Sequence, residues 1–270
     1  MKKGLRGFFN PILQGIEMAH ILVSGATSGF GLEIAKAFLQ KNHVVFGTGR
    51  REENLQKLQL AYPKHFIPLC FDLKNKPETK RAIETIFSMT DHIDALINNA
   101  GLALGLNKAY ECDLDDWEIM IDTNIKGLLH LTRLILPSMI EHNQGTIINL
   151  GSIAGTYAYP GGNVYGTSKA FVKQFSLNLR ADLAGTNIRV SNVEPGLCGE
   201  TEFSMVRFKG DKIKAQFVYE NTIYLKSQDI ANIVLWIYEQ PLHVNINRIE
   251  IMPISQTFAP LPTHKNLKGF

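Results

Sequence analysis

The sequence predicts an α/β protein in which one seven-stranded parallel sheet is covered by helices on both faces, the doubly wound Rossmann arrangement. Short β-prone runs alternate with stretches of helical periodicity along nearly the whole chain. Runs such as TIINL and IRVSNV are rich in β-branched residues, as strands buried on both faces usually are. A glycine-rich turn separates the first strand from the first helix, which is typical of this fold.

The elements follow one another in regular order. The strands are predicted at residues 20–23, 44–48, 66–69, 95–97, 146–150, 188–193 and 248–252. The helices are predicted between them, at residues 31–40, 52–61, 77–89, 115–140, 163–183 and 227–238. The alternation breaks at residues 195–222, a long stretch without clear periodicity that we interpret as a lid or binding loop. The proline-containing tail from Pro253 is predicted to run over the surface.

Composition and charge exclude several classes of protein. The chain has 270 residues and a net charge of +3 with no block of like charges, so nucleic acid is not expected as a partner. Cys70, Cys112 and Cys198 are far apart, which argues against a disulfide scaffold and fits a reducing cytoplasm. The histidines show no metal-ligand spacing, and no apolar run approaches the length of a membrane span. We therefore expect a cytoplasmic protein without a metal site or membrane contact.

The N-terminal end differs from the rest of the chain. Residues 1–17 combine early positive charge with a short apolar patch that Asn10 and Pro11 interrupt. No small-residue cleavage site follows, and Met18 stands directly before the first strand. We interpret residues 1–17 as a disordered extension and residues 18–270 as one domain.

The turn after the first strand has the composition of a phosphate-binding loop. Glycines let the backbone approach a pyrophosphate, and the helix N-terminus supplies free N–H groups. The alternative is that the glycines serve only a tight turn. The turn consists of Gly25, Ala26, Thr27, Ser28, Gly29, Phe30 and Gly31.

Two arginines follow the second strand, where an NAD-binding protein usually carries an acid. Arg50 and Arg51 favour NADP, because arginine accommodates the 2′-phosphate of that cofactor. The alternative is that they form ion pairs with Glu52 and Glu53 in the following helix.

Polar residues also follow the third and fourth strands, at the sheet edge where ligands bind in this fold. Asp72 and Leu73 come after the third strand, and Asn99, Ala100 and Gly101 come after the fourth. We expect all five at the cofactor site, although Asp72 alone is equally explained as a turn or capping residue.

Tyr165 and Lys169 are four residues apart in a predicted helix and therefore share one face. Spacing alone favours an ordinary amphipathic helix. The surrounding motifs change that interpretation, because together they resemble the short-chain dehydrogenase/reductase family over residues 19–254. The resemblance rests on GATSGFG, NNAG, Asn124, Ser152, Tyr165-x-x-x-Lys169 and Pro195-Gly196. Within the family, NNAGLALG, IDTNIKGL, GGNVYGTSKAFV, EPGL and FSMVRFKG are most similar to the bacterial NADP-dependent 3-hydroxy acid dehydrogenases, also described as serine or allo-threonine dehydrogenases.

The resemblance implies a role for each matching residue. Tyr165 is expected to be the general acid/base, with a pKa lowered by Lys169 and by the positive nicotinamide. Lys169 is expected to hold the nicotinamide ribose as well, and Ser152 to bind the substrate carbonyl. Asn124 resembles the residue that links a water to the lysine. Pro195, Gly196 and Thr201 complete the expected cofactor contacts.

The family also implies a homotetramer acting on a small molecule. Phe171 and Phe175, at i and i+4, suit its interface or the core equally well. A 3-hydroxy acid substrate requires a cationic partner for its carboxylate, and Arg207 is the predicted one because Val206 and Phe208 flank it. A surface or interface position for Arg207 is the alternative. Two other functions remain open: reduction of larger neutral ketones or acyl-carrier-protein-linked groups, and catalytically silent NADP sensing.

Overall fold

The seven predicted strands form one parallel sheet with the order β3-β2-β1-β4-β5-β6-β7. The computed structural model describes residues 18–258, so the predicted extension at residues 1–17 lies outside the described residues. The predicted strand bounds agree with the observed ones to within two residues. The strands are β1 His20–Val23, β2 Val44–Gly49, β3 Phe66–Cys70, β4 Ala95–Asn98, β5 Gly145–Leu150, β6 Ile188–Pro195 and β7 Arg248–Ile251.

Helices connect these strands, because parallel neighbours need long crossover connections. They are α1 Gly29–Gln40, α2 Glu52–Ala61, α3 Lys76–Phe87, α4 Leu114–Ile121, α5 Leu128–Glu141, α6 Asn163–Asp182, α7 Phe203–Arg207, α8 Lys212–Phe217 and α9 Ser227–Tyr238. In the part of the chain that the structure describes, no helix is long and apolar enough to cross a membrane.

Two connections differ in their secondary structure from the prediction. The helix predicted at residues 115–140 is interrupted by a π-helical segment, Asp122–Gly127, which joins α4 to α5. A π-helical turn adds one residue to the helical ladder, a change too small for hydrophobic periodicity to reveal. The stretch 195–222 is not a plain loop either, because it contains α7 and α8. Both helices are too short to produce a periodic pattern.

Each face of the sheet has its own apolar core. Side chains alternate across a strand, so Ile21 and Val23 of β1 pack under α1 and α9, whereas Leu22 packs under α3 and α5. All three are fully buried. Burial of such a side chain stabilises the fold by about 1.5–3 kcal/mol. The two cores therefore fix the strand register and, with it, the positions of the strand ends.

The strand order reverses between β1 and β4, since β2 and β3 lie on one side of β1 and β4 to β7 lie on the other. A crevice opens at the carboxyl ends of the strands at such a reversal. Most of the predicted site residues follow strand ends or begin helices at this edge.

Candidate active site

A cavity of about 1350 Å³ lies at the carboxyl ends of the strands. Most of the predicted site residues line it: Gly25, Thr27, Ser28, Gly29, Phe30, Arg50, Arg51, Asp72, Leu73, Asn99, Ala100, Gly101, Ser152, Tyr165, Lys169, Pro195, Gly196, Thr201 and Arg207. Ala26, Gly31 and Asn124 do not line it. These three are buried behind the cavity wall and shape it from there.

The glycine turn holds α1 against the end of β4. Gly25 has a φ of +73°, which glycine adopts without strain. A Cβ on Gly31 would lie 2.1 Å from the Gly25 carbonyl oxygen and 2.4 Å from Asn99 Nδ2, so a side chain at Gly31 cannot fit. Asn99 Nδ2 in turn donates to the Ser24 carbonyl at 2.8 Å. Gly31 thus serves close packing rather than ligand contact.

The N-terminus of α1 faces the cavity and is suited to an anion. Ser28 is the N-cap residue, yet its side chain makes no capping hydrogen bond, and the first turn contains no acidic residue. The first-turn N–H groups and the positive end of the helix dipole therefore lack an internal anionic partner within α1. This arrangement fits the pyrophosphate of a dinucleotide.

Arg51 strengthens the positive character of this end of the cavity. Its guanidinium donates to Ser28 Oγ at 2.7 Å and to Thr27 Oγ1 at 3.1 Å. It also donates to Glu202 Oε1 at 2.8 Å. Arg50 is exposed on the cavity wall and has no side-chain hydrogen bond or ion pair with the described residues. The alternative of ion pairs between these arginines and Glu52 or Glu53 is wrong.

Asp72 lies on the cavity wall but also performs the turn role that the sequence left open. Its carboxylate accepts a hydrogen bond from the Lys74 backbone N–H at 3.0 Å. Leu73 is buried beside it and closes the floor of the cavity. The two roles of Asp72 are compatible, because a carboxylate accepts several hydrogen bonds.

Ser152, Tyr165 and Lys169 converge because a short segment after β5 packs on α6. Ser152 is the N-cap of a 3₁₀ turn, Ile153–Gly155, and its Oγ accepts from the Ala154 N–H at 3.1 Å. A Cβ on Gly155 would lie 2.6 Å from the Lys169 carbonyl carbon, so only glycine allows this approach. The sequence motif did not identify Gly155, whose role is evident only when the two elements are packed together.

Burial dominates the ionisation of Tyr165. It raises the pKa of the phenol to about 12, while a hydrogen bond from Ser152 and the positive charge of Arg207 act in the opposite direction. In the protein alone Lys169 is not among the groups that lower the pKa of Tyr165, and the lowering by Lys169 and the nicotinamide together stays a prediction for the complex. The Lys169 Nζ lies 6.0 Å from the centre of the Tyr165 ring and donates instead to the Leu150 carbonyl at 2.7 Å.

Asn124 lies in the π-helical segment and is 2% exposed. Its side-chain oxygen accepts from the Leu102 N–H at 2.9 Å, and its amide nitrogen donates to the Leu102 carbonyl at 2.8 Å. The same nitrogen donates to Ser168 Oγ at 3.0 Å. The side chain therefore ties the segment after β4 to α6. The expected link from Asn124 to a water stays a prediction.

Burial also perturbs Lys169, which leads to a prediction about stability. The pKa of its ammonium is lowered from 10.5 to about 8. Between these values the unfolded chain binds more protons, so the free energy of unfolding rises with pH in that window. Below about pH 8 the buried ammonium therefore destabilises the fold by about 3 kcal/mol. Lys169→Met is expected to be more stable than the wild type at pH 7 by about 2 kcal/mol, since losing the bond to Leu150 offsets about 1 kcal/mol.

Denaturant unfolding at pH 7 and at pH 10 measures this effect. The stability gain should shrink as the pH rises. Lys173→Met, which removes an ammonium bonded to Thr156 on the surface side of the same helix, is the matched control and should show no such gain. If the Lys169→Met variant were no more stable than the wild type at neutral pH, the conclusion that the buried ammonium destabilises the fold would be contradicted.

Arg207 of α7 lies over a group of aromatic rings in the cavity. Its guanidinium carbon is 5.3 Å from the centre of the Tyr165 ring and 5.5 Å from that of Phe203. Nη2 donates to Tyr159 Oη at 2.7 Å, and the buried Nε has no hydrogen-bond partner among the described residues. Two of these rings were not among the predicted site residues: Phe203 stands in the FSMVRFKG motif, where only Arg207 was singled out, and Tyr159 lies just before the GGNVYGTSKAFV motif.

The tail also contributes to the cavity, although most of its described part runs over the surface as predicted. Gln256 Oε1 accepts from the Leu197 N–H at 2.7 Å, and Gln256 and Phe258 line the cavity mouth. Ile254 is 92% and Phe258 64% exposed, so the surface prediction holds for most of the described tail. The tail beyond residue 258 lies outside the described residues.

Comparison with known proteins gives a consistent result. A family model described as short chain dehydrogenase matches residues 19–212. A probable NADP-dependent dehydrogenase of Haemophilus influenzae is 58% identical over 244 residues, covering 90% of this chain and 97% of that protein. The NADP-dependent 3-hydroxy acid dehydrogenase YdfG of Salmonella typhi is 51% identical, covering 91% of this chain and 99% of its own. A closed form of serine dehydrogenase complexed with NADP+ superposes with a TM-score of 0.90 at 49% identity, covering 92% of this chain and 100% of that chain.

Proposed function

The chain belongs to the short-chain dehydrogenase family, and on that premise we propose that it is an NADP-dependent oxidoreductase. It interconverts small 3-hydroxy acids, of the kind of serine, allo-threonine and 3-hydroxypropionate, with their 3-oxo acids or semialdehydes. The observation that carries this proposal is the convergence of Ser152, Tyr165 and Lys169 on one cavity whose other end is positively charged. We propose residues 18–270 as the single domain that performs this reaction.

The cofactor supplies or accepts a hydride at its nicotinamide ring when it is bound. The α1 N-terminus, Arg50 and Arg51 bind its phosphates, and Lys169 holds its ribose. Ser152 Oγ donates to the substrate oxygen and stabilises the charge that develops there. Tyr165 transfers a proton to that oxygen during reduction and removes it during oxidation. In the protein alone burial raises the pKa of the phenol to about 12, so Tyr165 carries its proton at neutral pH and is in the form that reduction needs.

The acidic substrate is supported by Arg207. Within the described residues its guanidinium makes one side-chain hydrogen bond, to Tyr159 Oη, which leaves N–H groups for a ligand, and a guanidinium binds a carboxylate through two parallel hydrogen bonds. The neighbouring rings of Tyr159 and Phe203 exclude water around it, which strengthens a charged hydrogen bond. Arg207 and Tyr165 face the same space, so a substrate held by one reaches the other.

We predict that Arg207→Ala raises the KM for serine and 3-hydroxybutyrate by tenfold or more. The reason is the loss of roughly 1.5–3 kcal/mol of charged hydrogen bonding. NADPH absorbance, followed with 3-hydroxy acids and with bulky neutral secondary alcohols, measures the effect and tests the proposed function in one assay. The wild type should favour the acids, and neutral alcohols should be little affected by the substitution.

Lys212→Ala is the matched control, because it removes one positive charge from the same segment at a residue that does not line the cavity. An equal rise in KM for acids and for neutral alcohols would show that Arg207 does not recognise the substrate carboxylate. A wild type that prefers bulky neutral ketones or acyl-carrier-protein-linked groups would favour the alternative reductase function instead.

We also propose that the protein acts as a cytoplasmic homotetramer. Three free cysteines fit a reducing compartment. Phe171 and Phe175 stack on α6 with ring centres 5.9 Å apart, and the partly buried Phe175 packs on the core. Light scattering of the purified protein measures the assembly directly.

A further inference from the structure

An acidic residue lies inside the positively charged end of the cavity. Glu202 Oε1 is 2.8 Å from Arg51 Nη1, across 151 positions of sequence. The pKa of the Glu202 carboxyl is lowered, chiefly by the hydrogen bond from Arg51 and also by one from Ser28. The carboxylate therefore shares the two groups, Arg51 and Ser28, that the anion-binding end of the cavity offers most directly.

These contacts engage both terminal nitrogens of the Arg51 guanidinium. One terminal nitrogen of its guanidinium donates to Glu202, and the other donates to Thr27 and Ser28. A phosphate that binds Arg51 has to replace the Glu202 carboxylate or share the guanidinium with it. Either way the acid opposes the phosphate, because two anions on one cation repel each other.

We propose that Glu202 is a specificity-determining residue, an internal carboxylate that competes with the 2′-phosphate of NADP for Arg51. The inference rests on the proposed NADP dependence. NAD lacks this phosphate and leaves the Arg51–Glu202 pair intact, so Glu202 weakens NADP binding selectively. It thereby limits the preference for NADP that Arg50 and Arg51 create.

Glu202 also connects the cofactor end of the cavity to the end where the substrate is expected to bind. Glu202 directly precedes α7, whose first residue, Phe203, has its ring centre 5.6 Å from that of Tyr165. Arg207 ends the same helix. When a 2′-phosphate replaces Glu202 on Arg51, the start of α7 loses its contact with the cofactor end of the cavity. Cofactor binding is thereby coupled to the helix that carries the substrate contacts.

The experiment measures the dissociation constants of NADPH and NADH by fluorescence for the wild type and for Glu202→Gln. Glutamine keeps the size of the side chain and removes its charge. We expect NADPH to bind about threefold to fivefold more tightly to the variant, in line with an exposed ion pair of modest strength. NADH affinity should change by less than about twofold, and the gain for NADPH should shrink as salt is added.

Two controls isolate the contact. Glu200→Gln makes the same change in charge two residues away, at a carboxylate that pairs with Lys226 at 3.2 Å, and should leave the NADPH affinity unchanged. In an Arg51→Ala background, Glu202→Gln should have no effect on NADPH, since the competition needs Arg51.

Each outcome decides the proposal. Tighter NADPH binding that depends on Arg51 supports it. Unchanged or weaker NADPH binding, or a gain that persists without Arg51, overturns it. If the wild type bound NADH more tightly than NADPH, the proposed cofactor would be wrong instead. The two dissociation constants of the wild type are sufficient to decide this.

Discussion

Tyr165→Phe is expected to reduce turnover by about a hundredfold to ten-thousandfold, the range that a positioned acid/base group contributes. The substitution removes only the phenolic oxygen. Tyr165 is 8% exposed, and its ring contacts with Phe203 and Arg207 remain available to phenylalanine. NADPH affinity and the melting temperature should therefore stay close to those of the wild type. Turnover is measured in the reductive direction and NADPH affinity is measured separately. A loss of catalysis is thereby distinguished from a loss of cofactor binding.

The pH dependence of the reaction gives a second measurement on the same residue. Burial raises the pKa of Tyr165 to about 12 in the protein alone, so the phenol is the acid form throughout the neutral range. Reduction needs this form and should be insensitive to pH near neutrality. Oxidation needs the phenolate, so its rate should rise with pH up to the pKa of Tyr165 in the complex. Positive charge brought by the oxidised cofactor should lower that pKa below about 12.

Tyr238→Phe is the matched control for the loss of a phenol. Tyr238 lies at the end of α9, where its ring packs edge-on against Phe38 and His43, and it does not line the cavity. The turnover of the Tyr238→Phe variant should match that of the wild type. Substantial activity in the Tyr165→Phe variant would point to another acid/base group, for which Tyr159, a second phenol that lines the cavity, is a candidate.

The sequence was sufficient for the parts of the molecule that depend on neighbours along the chain. The strands and most helices were predicted because hydrophobic pattern and glycine positions act within a few residues. The same is true of the glycine turn, and of Tyr165 and Lys169, whose i and i+4 spacing puts them on one helical face. The resemblance to the short-chain dehydrogenase/reductase family is confirmed by the comparisons.

The sequence was insufficient where the outcome depends on packing between distant segments. The contact of Arg51 with Glu202 and the approach of Gln256 to Leu197 join residues far apart in the chain. The pKa of Tyr165 depends on a balance between burial and charge that only the packed structure fixes. The π-helical segment Asp122–Gly127 escaped prediction for a different reason, since its residues keep a nearly helical periodicity.

Cofactor preference should depend on the two arginines after β2. Replacing both Arg50 and Arg51 with glutamine is expected to weaken NADPH binding by about a hundredfold or more, because each charged contact to the 2′-phosphate contributes roughly 1.5–3 kcal/mol. NADH affinity should barely change, since NAD carries no phosphate at that position. The variant should therefore lose its preference for NADP rather than its ability to bind a dinucleotide, which the glycine turn and the α1 N-terminus still support.

The ratio of the two dissociation constants, measured at low and at physiological salt, checks this expectation. A protein with Arg81→Gln and Arg180→Gln has the same change in net charge at residues outside the cavity, and it should keep the wild-type ratio. The loss of NADPH binding free energy should be smaller than the sum of two fully formed contacts, because Arg51 gives up its pairing with Glu202 when phosphate binds. If the double variant kept a strong preference for NADPH, the 2′-phosphate would have to be bound elsewhere, and the assignment of Arg50 and Arg51 would be wrong.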